Sequence, residues 1–171
     1  MDLNLKGKNA IVSGGNKGLG AASAMALAAE GANVFLTARN PDDLQSTADE
    51  IKKAHGVEVG LLALDITDEG SGEKIVAAAL GQFDNIDILV NAAGAARGGV
   101  FHDIEDQVWR DAFELKFLGA VKLTRALVPH MQARKYGRIV NMIGMFGREP
   151  AKQALPASAV NAAFMAVNKG L

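Results

Sequence analysis

Short apolar runs alternate along this chain with longer segments in which apolar residues recur every three or four positions. The runs have the length of β-strands and the longer segments have the period of amphipathic helices, which together indicate parallel βαβ units. We predict strands over residues 9–13, 33–37, 58–64, 86–90 and 138–142. We predict helices over residues 18–30, 41–55, 69–80 and 104–134, and from 156 onward. The fold class expected is α/β, a doubly wound parallel sheet of the Rossmann type, covered by helices on both faces.

Composition narrows the class of protein further. The 171 residues are 49% hydrophobic and 22% charged, enough for one globular domain over residues 1–171. The net charge is −1 and the Lys and Arg residues are scattered, so we expect no nucleic-acid partner. No apolar run has membrane-spanning length and no leader pattern is present, so we expect no membrane partner and a cytoplasmic location. Zero cysteines and three dispersed histidines lead us to expect no metal site.

The last residues, up to Leu171, form an alanine-rich amphipathic segment without a stop signal. A helix end is commonly marked by a glycine followed by a polar exit, whereas here Gly170 is followed by a single residue. We therefore expect the domain to be truncated at its C-terminus.

A glycine-rich turn follows the first predicted strand and opens the first predicted helix. Gly14 permits a tight turn, Gly18 lets backbone amides approach a pyrophosphate, and Gly20 lets the helix pack closely. The helix N-terminus adds positive potential for an anion. We predict a dinucleotide-binding turn whose contacts come from Gly14, Asn16, Lys17, Gly18, Leu19 and Gly20.

The end of the second predicted strand indicates which dinucleotide is bound. An NAD enzyme places a carboxylate there for the ribose hydroxyls, but this sequence has Ala38 and Arg39 and no carboxylate to repel a 2′-phosphate. Arg39 offers a planar fork of donors for such a phosphate, and Lys17 can reach it from the glycine turn. The alternative is that both are solvated surface cations. We predict NADP(H) as the cofactor.

The sequence resembles the short-chain dehydrogenase/reductase family along its whole length. The resemblance is carried by the glycine turn, by Asp65 after the third strand, by Asn91-Ala92-Ala93-Gly94 after the fourth strand, and by segments 127–131 and 137–141. It implies that Asp65 and Ile66 border the adenine. It also implies that Asn91, Ala92 and Gly94 form the wall beside the ribose and help tie the central strands together.

Members of that family reduce carbonyls or oxidise alcohols with a tyrosine, a lysine, a serine and an asparagine. The matching positions here hold four other residues, Ala157, Asn161, Gly144 and Lys116 respectively. The single tyrosine, Tyr136, precedes the fifth strand and is expected at the opposite edge of the sheet from the cofactor. We therefore expect a divergent member that lacks the family's catalytic residues.

Three polar residues remain as candidates for catalysis, namely Lys116, Ser158 and Asn161. A buried Lys116 with a lowered pKa can donate a proton, although a helix lysine more often extends to solvent. Asn161 is neutral and can only hydrogen-bond a ribose hydroxyl. The leading hypothesis is an NADP(H)-dependent oxidoreductase with an altered active site that acts on a small carbonyl or alcohol. The alternatives are a non-catalytic NADP(H)-binding protein and a non-redox enzyme on the same scaffold.

The resemblance also implies self-association through the long helix and the terminal helix. In a monomer we expect an apolar stripe on the long helix, including Phe113, Phe117 and Leu123, to face water. We therefore expect a homo-oligomer.

Overall fold

A computed structural model of the chain describes residues 2–95 and 97–171. Within them five strands form one sheet: β1 (Asn9–Ser13), β2 (Asn33–Ala38), β3 (Val59–Ala63), β4 (Ile88–Asn91) and β5 (Arg138–Asn141). All neighbouring strands are parallel, and their order is β3-β2-β1-β4-β5. The strand order reverses between β1 and β4, because β2 and β3 extend the sheet on one side of β1 while β4 and β5 extend it on the other. Such a reversal opens a crevice at the carboxyl edge. The predicted doubly wound sheet is confirmed.

Helices cover both faces of this sheet. They are α1 (Gly18–Ala29), α2 (Pro41–His55), α3 (Ser71–Gln82), α4 (Asp106–Ala112), α5 (Gly119–Ala133) and α6 (Leu155–Gly170). Successive residues of β1 point to opposite faces, so Val12 packs with α1 and α2 while Ile11 packs with α3 and α5. Both residues are wholly buried. The two cores explain why the centre of β1 is a continuous apolar run rather than an alternating one.

Helix α4 continues into α5 through a π-helical turn, Phe113–Leu118. The N–H of Gly119 donates to the carbonyl of Glu114, five residues earlier, where an α-helix would use four. The sequence predicted one uninterrupted helix over residues 104–134, and the π turn is a feature that this prediction missed. It matters because the turn carries Lys116.

The expected exposed stripe on the long helix is wrong as stated. Leu123 is completely buried in the core that α3 and α5 share. Phe113 and Phe117 are half-buried, with ring centroids 6.1 Å apart, and the Phe117 ring lies edge-on to Phe164 of α6 at 6.2 Å. The chain therefore covers this stripe itself, because α6 folds back over the π turn.

Tyr136 lies at the amino edge of the sheet, two residues before β5 begins. Its ring is half-buried and packs beneath the Lys8 ammonium group, 4.4 Å from the ring centroid. The predicted placement away from the carboxyl edge is confirmed.

Candidate functional site

A cleft of about 510 Å³ opens at the carboxyl ends of β1, β2 and β4. Parallel α/β sheets bind ligands at this edge, where the strand order reverses. Eleven of the twelve residues predicted to contact a cofactor line it: Gly14, Asn16, Lys17, Gly18, Leu19, Gly20, Arg39, Asp65, Ile66, Ala92 and Gly94. The fold thus brings together residues from four separate turns.

The glycine turn is packed against the turn that follows β4. A Cβ atom built on Gly14, whose φ is +67°, would lie 2.9 Å from the Cα of Ala93. The Ser13 hydroxyl joins the same two turns, since it accepts hydrogen bonds from the N–H groups of Ala92 and Ala93 at 3.2 and 3.3 Å. Sequence reasoning missed Ser13, which fixes one wall of the cleft relative to the other.

The first turn of α1 has no side-chain cap. Its N-cap residue is Lys17, no acidic residue lies in the turn, and a Cβ on Gly18 would meet nothing within 4 Å. The α2 N-terminus differs, because Asn40 Oδ1 accepts from the N–H groups of Asp42 and Asp43 at 2.9 and 3.2 Å. The α1 N-terminus therefore offers free donors and open space to an anion in the cleft.

The far end of the cleft holds both signs of charge. Arg39 lies beside Asp65, with 3.8 Å between Nη1 and Oδ2. Asp43 also lines this end, and its Oδ2 accepts a hydrogen bond from Asn16 at 3.2 Å. No carboxylate follows β2 directly, as the sequence predicts, but in the folded chain α2 and the turn after β3 each bring one to this wall.

The pKa of the Asp65 carboxyl lies below its usual value of 3.8. Burial, the largest single cause, raises the pKa, but it is outweighed by two hydrogen bonds from Thr67 acting together with nearby positive charges. These positive charges are those of Arg39 and Lys122. Asp65 is thus a carboxylate at neutral pH, held in place by its own turn.

Asn91 is the one predicted contact residue that does not line the cleft. It is buried, and its Nδ2 donates to Thr124 Oγ1 at 3.1 Å and to Asn141 Oδ1 at 2.8 Å. Its Oδ1 accepts no hydrogen bond within the described residues. In this structure Asn91 ties β4 to β5 and to α5.

Lys116 is half-buried on the π turn. A Cβ on Gly94 would lie 3.0 Å from its Cδ, so the lysine stem runs along a glycine of the cleft wall. Burial lowers the pKa of the ammonium group below its usual value of 10.5. No acidic side chain of the described residues forms an ion pair with it. Lys116 itself does not line the cleft, but it is a partly buried cation that packs against the cleft wall at Gly94.

Asn161 and Ser158 are buried in α6 with their polar groups already hydrogen-bonded. Asn161 Oδ1 accepts from the N–H of Gly144 at 2.9 Å, and its Nδ2 donates to the Ala157 carbonyl at 2.8 Å. The Ser158 hydroxyl donates to the Ala154 carbonyl at 2.9 Å. Neither side chain lines the cleft. Both hold the loop before α6 against that helix.

A family model for short chain dehydrogenases matches residues 8–171. The chain belongs to the short chain dehydrogenase family. Its relatives in this family include the uncharacterised oxidoreductase YgcW of Escherichia coli (strain K12), which is 40% identical over 144 residues, 84% of this chain and 54% of the relative. The 3-oxoacyl-[acyl-carrier-protein] reductase FabG of the same strain is 32% identical over 85% of this chain and 58% of its own length.

Solved structures of the family superpose closely on this chain. L-sorbose reductase from Gluconobacter frateurii, complexed with NADPH and L-sorbose, has a TM-score of 0.94 at 33% identity over 99% of this chain and 65% of its own. An NAD⁺-bound xylitol dehydrogenase has a TM-score of 0.94 at 26% identity over 98% of this chain and 64% of its own. This chain therefore spans between half and two thirds of the length of the relatives described here.

Two features are absent from the part of the chain that the structure describes. No helix there is long and apolar enough to cross a membrane. No group of three or more His, Asp or Glu side chains there is arranged to hold a metal ion.

Proposed function

We propose that this chain is the nucleotide-binding part of an oxidoreductase that takes NADP(H) in the cleft above β1. The observation that carries the proposal is the uncapped first turn of α1, which faces open space at Gly18 and lies in one cleft with Arg39. An anion at this turn gains several backbone N–H donors and the positive end of the helix dipole.

The residues of the cleft fit such a cofactor from end to end. The diphosphate is assigned to the N–H groups of Gly18, Leu19 and Gly20, and the 2′-phosphate to Arg39 and Lys17. By the family resemblance, Asp65 and Ile66 border the adenine, while Ala92 and Gly94 border the ribose. Asn91 acts behind this wall by holding β4 in place, rather than by touching the cofactor.

The same proposal includes an altered active site. The family's serine, tyrosine and lysine positions hold Gly144, Ala157 and Asn161, none of which is ionisable. Asn161 is moreover engaged with the backbone of the other two. When bound in this cleft, NADP(H) would give a hydride to, or accept one from, a carbon of a small carbonyl or alcohol. Lys116 is the group we assign to proton donation, because burial lowers its pKa toward the range useful for acid catalysis.

A non-catalytic NADP(H)-binding protein is the second candidate. It is favoured by the internal hydrogen bonds of Ser158 and Asn161, which leave neither side chain directed into the cleft. In that case the cleft binds cofactor, and Lys116 is a packing residue only.

Cofactor titration and a turnover assay separate the two candidates. Wild-type chain is titrated with NADPH and NADH, and NADPH oxidation is followed with simple activated ketones. Binding with turnover that Lys116→Met abolishes supports the oxidoreductase, whereas binding without turnover supports the second candidate. Failure to bind either dinucleotide contradicts the proposal as a whole.

Restoring the family's residues tests the altered active site directly. The triple variant combines Gly144→Ser, Ala157→Tyr and Asn161→Lys. Because an acid contributes about 10²–10⁴-fold and an oxyanion donor about 10²–10³-fold, we expect ketone reduction to rise well above the wild-type level. Wild-type reduction that is already fast and insensitive to Lys116→Met would contradict this part of the proposal.

We also propose that the chain self-associates through α5 and α6. An apolar groove of about 290 Å³ lies between them, lined by side chains such as Val121, Val128 and Val167. Val121→Glu is expected to shift sedimentation toward the monomer, while the exposed-site control Glu50→Gln is not. A wild-type chain that sediments as a monomer at high concentration would contradict self-association.

A further inference from the structure

Arg39 and Asp65 form an ion pair inside the cleft, at the end assigned to the adenosine. Their nearest charged atoms are 3.8 Å apart, and the side chains are 70% and 32% exposed respectively. The distance exceeds that of a strong charge-assisted hydrogen bond, and the guanidinium is well solvated. Arg39 is therefore held loosely and can turn toward another anion.

The carboxylate side of this pair is held firmly. Asp65 Oδ1 accepts from the N–H and the hydroxyl of Thr67 at 2.9 and 2.8 Å, which leaves Oδ2 for Arg39. The Thr67 carbonyl in turn accepts from Lys122 Nζ at 2.8 Å. Lys122 also donates to Glu114 of the π turn at 2.6 Å. A chain of hydrogen bonds thus anchors Asp65 to the long helix, whereas Arg39 is exposed and contacts Asp65 only at 3.8 Å.

We propose that Asp65 sets how strongly this cleft discriminates NADP(H) from NAD(H), by competing with the 2′-phosphate for Arg39. The inference rests on the proposed cofactor site. A cofactor that carries the 2′-phosphate must share Arg39 with Asp65 or displace Asp65 from it. Its phosphate must also lie near the fixed negative charge of Asp65. A cofactor without the phosphate leaves the pair intact. Asp65 therefore weakens NADP(H) binding selectively.

The direct variant is Asp65→Asn, which keeps an oxygen for the Thr67 donors and removes the charge. An exposed ion pair together with one screened like-charge repulsion corresponds to about a three- to tenfold change in affinity. We therefore expect the ratio of NADPH affinity to NADH affinity to rise about three- to tenfold in the variant, because any change in the contact with the adenine is common to both cofactors. The gain should shrink as salt is added.

Two further variants make the test specific. Asp43→Asn removes the same charge from the same wall, at a carboxylate that contacts Asn16 rather than Arg39. Asp43→Asn should raise the NADPH-to-NADH affinity ratio by less than half of the rise expected for Asp65→Asn. In the double variant Arg39→Ala with Asp65→Asn, the gain over Arg39→Ala alone should be smaller than the gain of Asp65→Asn over the wild type, because only the like-charge repulsion is left to remove.

The probes are NADPH, NADH and the fragments adenosine 2′,5′-bisphosphate and adenosine 5′-monophosphate, measured by calorimetry. The readout is the ratio of affinities with and without the 2′-phosphate, from which any loss of folded protein cancels. A ratio that falls or stays the same in Asp65→Asn overturns this inference alone. An equal gain in Asp43→Asn or in the double variant also overturns it. Absence of binding of every probe to the wild type overturns the proposed function as well.

Discussion

The close approach of Gly20 to the glycine turn gives a sharp test of how the cleft is built. A Cβ atom on Gly20 would lie 2.0 Å from the carbonyl oxygen of Gly14 and 2.7 Å from its carbon, where ordinary contacts are 3.4–4 Å. Both partners are backbone atoms, so the start of α1 has to move away from β1 by more than an ångström. Overpacking of this kind lowers the free energy of unfolding by about 1–3 kcal/mol, and we expect the loss in Gly20→Ala to lie at the upper end of that range.

Gly81→Ala is the matched control. Gly81 lies near the end of α3, is exposed, and a Cβ there would meet nothing within 4 Å. Because alanine has a higher helix propensity than glycine, the free energy of unfolding of this variant should rise by up to about 1 kcal/mol. Urea unfolding followed by circular dichroism measures both changes, and NADPH titration reports the turn itself. Equal unfolding midpoints for the two variants would refute the close approach on which the geometry of the turn depends.

Three other predictions concern stability, each measured by urea unfolding. Arg134→Ala removes a 2.8 Å contact to the buried carboxylate of Asp87, and we expect it to lower the free energy of unfolding by about 2–3 kcal/mol. A loss below about 1 kcal/mol, typical of an exposed ion pair, would contradict this prediction. Asn40→Ala removes the cap of α2 and should cost about 1 kcal/mol, while no loss would argue against the cap. Burial lowers the pKa of Lys116, so between this lowered pKa and the usual value of 10.5 the folded chain binds fewer protons than the unfolded chain. The free energy of unfolding therefore rises with pH in that window. Lys116→Met should therefore raise the free energy of unfolding over that of the wild type more at neutral pH than near pH 10.5. An equal rise at both pH values would contradict the lowered pKa of Lys116.

Local sequence signals predicted the parts of this fold that depend on local physics. The predicted span of β1 agrees with the structure residue for residue, because an apolar run ends where the glycine turn begins. The predicted span of α2 agrees as well, and its Asn40-Pro41 start is a recognisable capping signal. For the same reason the glycine turn was placed correctly at the carboxyl edge of the sheet.

The features that sequence reasoning missed depend on contacts between distant segments. The π turn at Phe113–Leu118 has ordinary helical periodicity, and Lys122 binds both this turn and the carbonyl of Thr67. Only the fold shows that Asp65 meets Arg39, since β3 and β2 are neighbours while the two residues are far apart in sequence. The buried state of Leu123 likewise follows from the packing of α5 on α3.

A crystal structure of the chain grown with NADPH tests most directly whether NADP(H) occupies the cleft above β1. We predict that the diphosphate lies against the N–H groups at the start of α1 and the 2′-phosphate within hydrogen-bond distance of Arg39. The adenine should lie beside Ile66. A dinucleotide bound elsewhere on the chain, or one whose 2′-phosphate points away from Arg39 into solvent, would contradict the account.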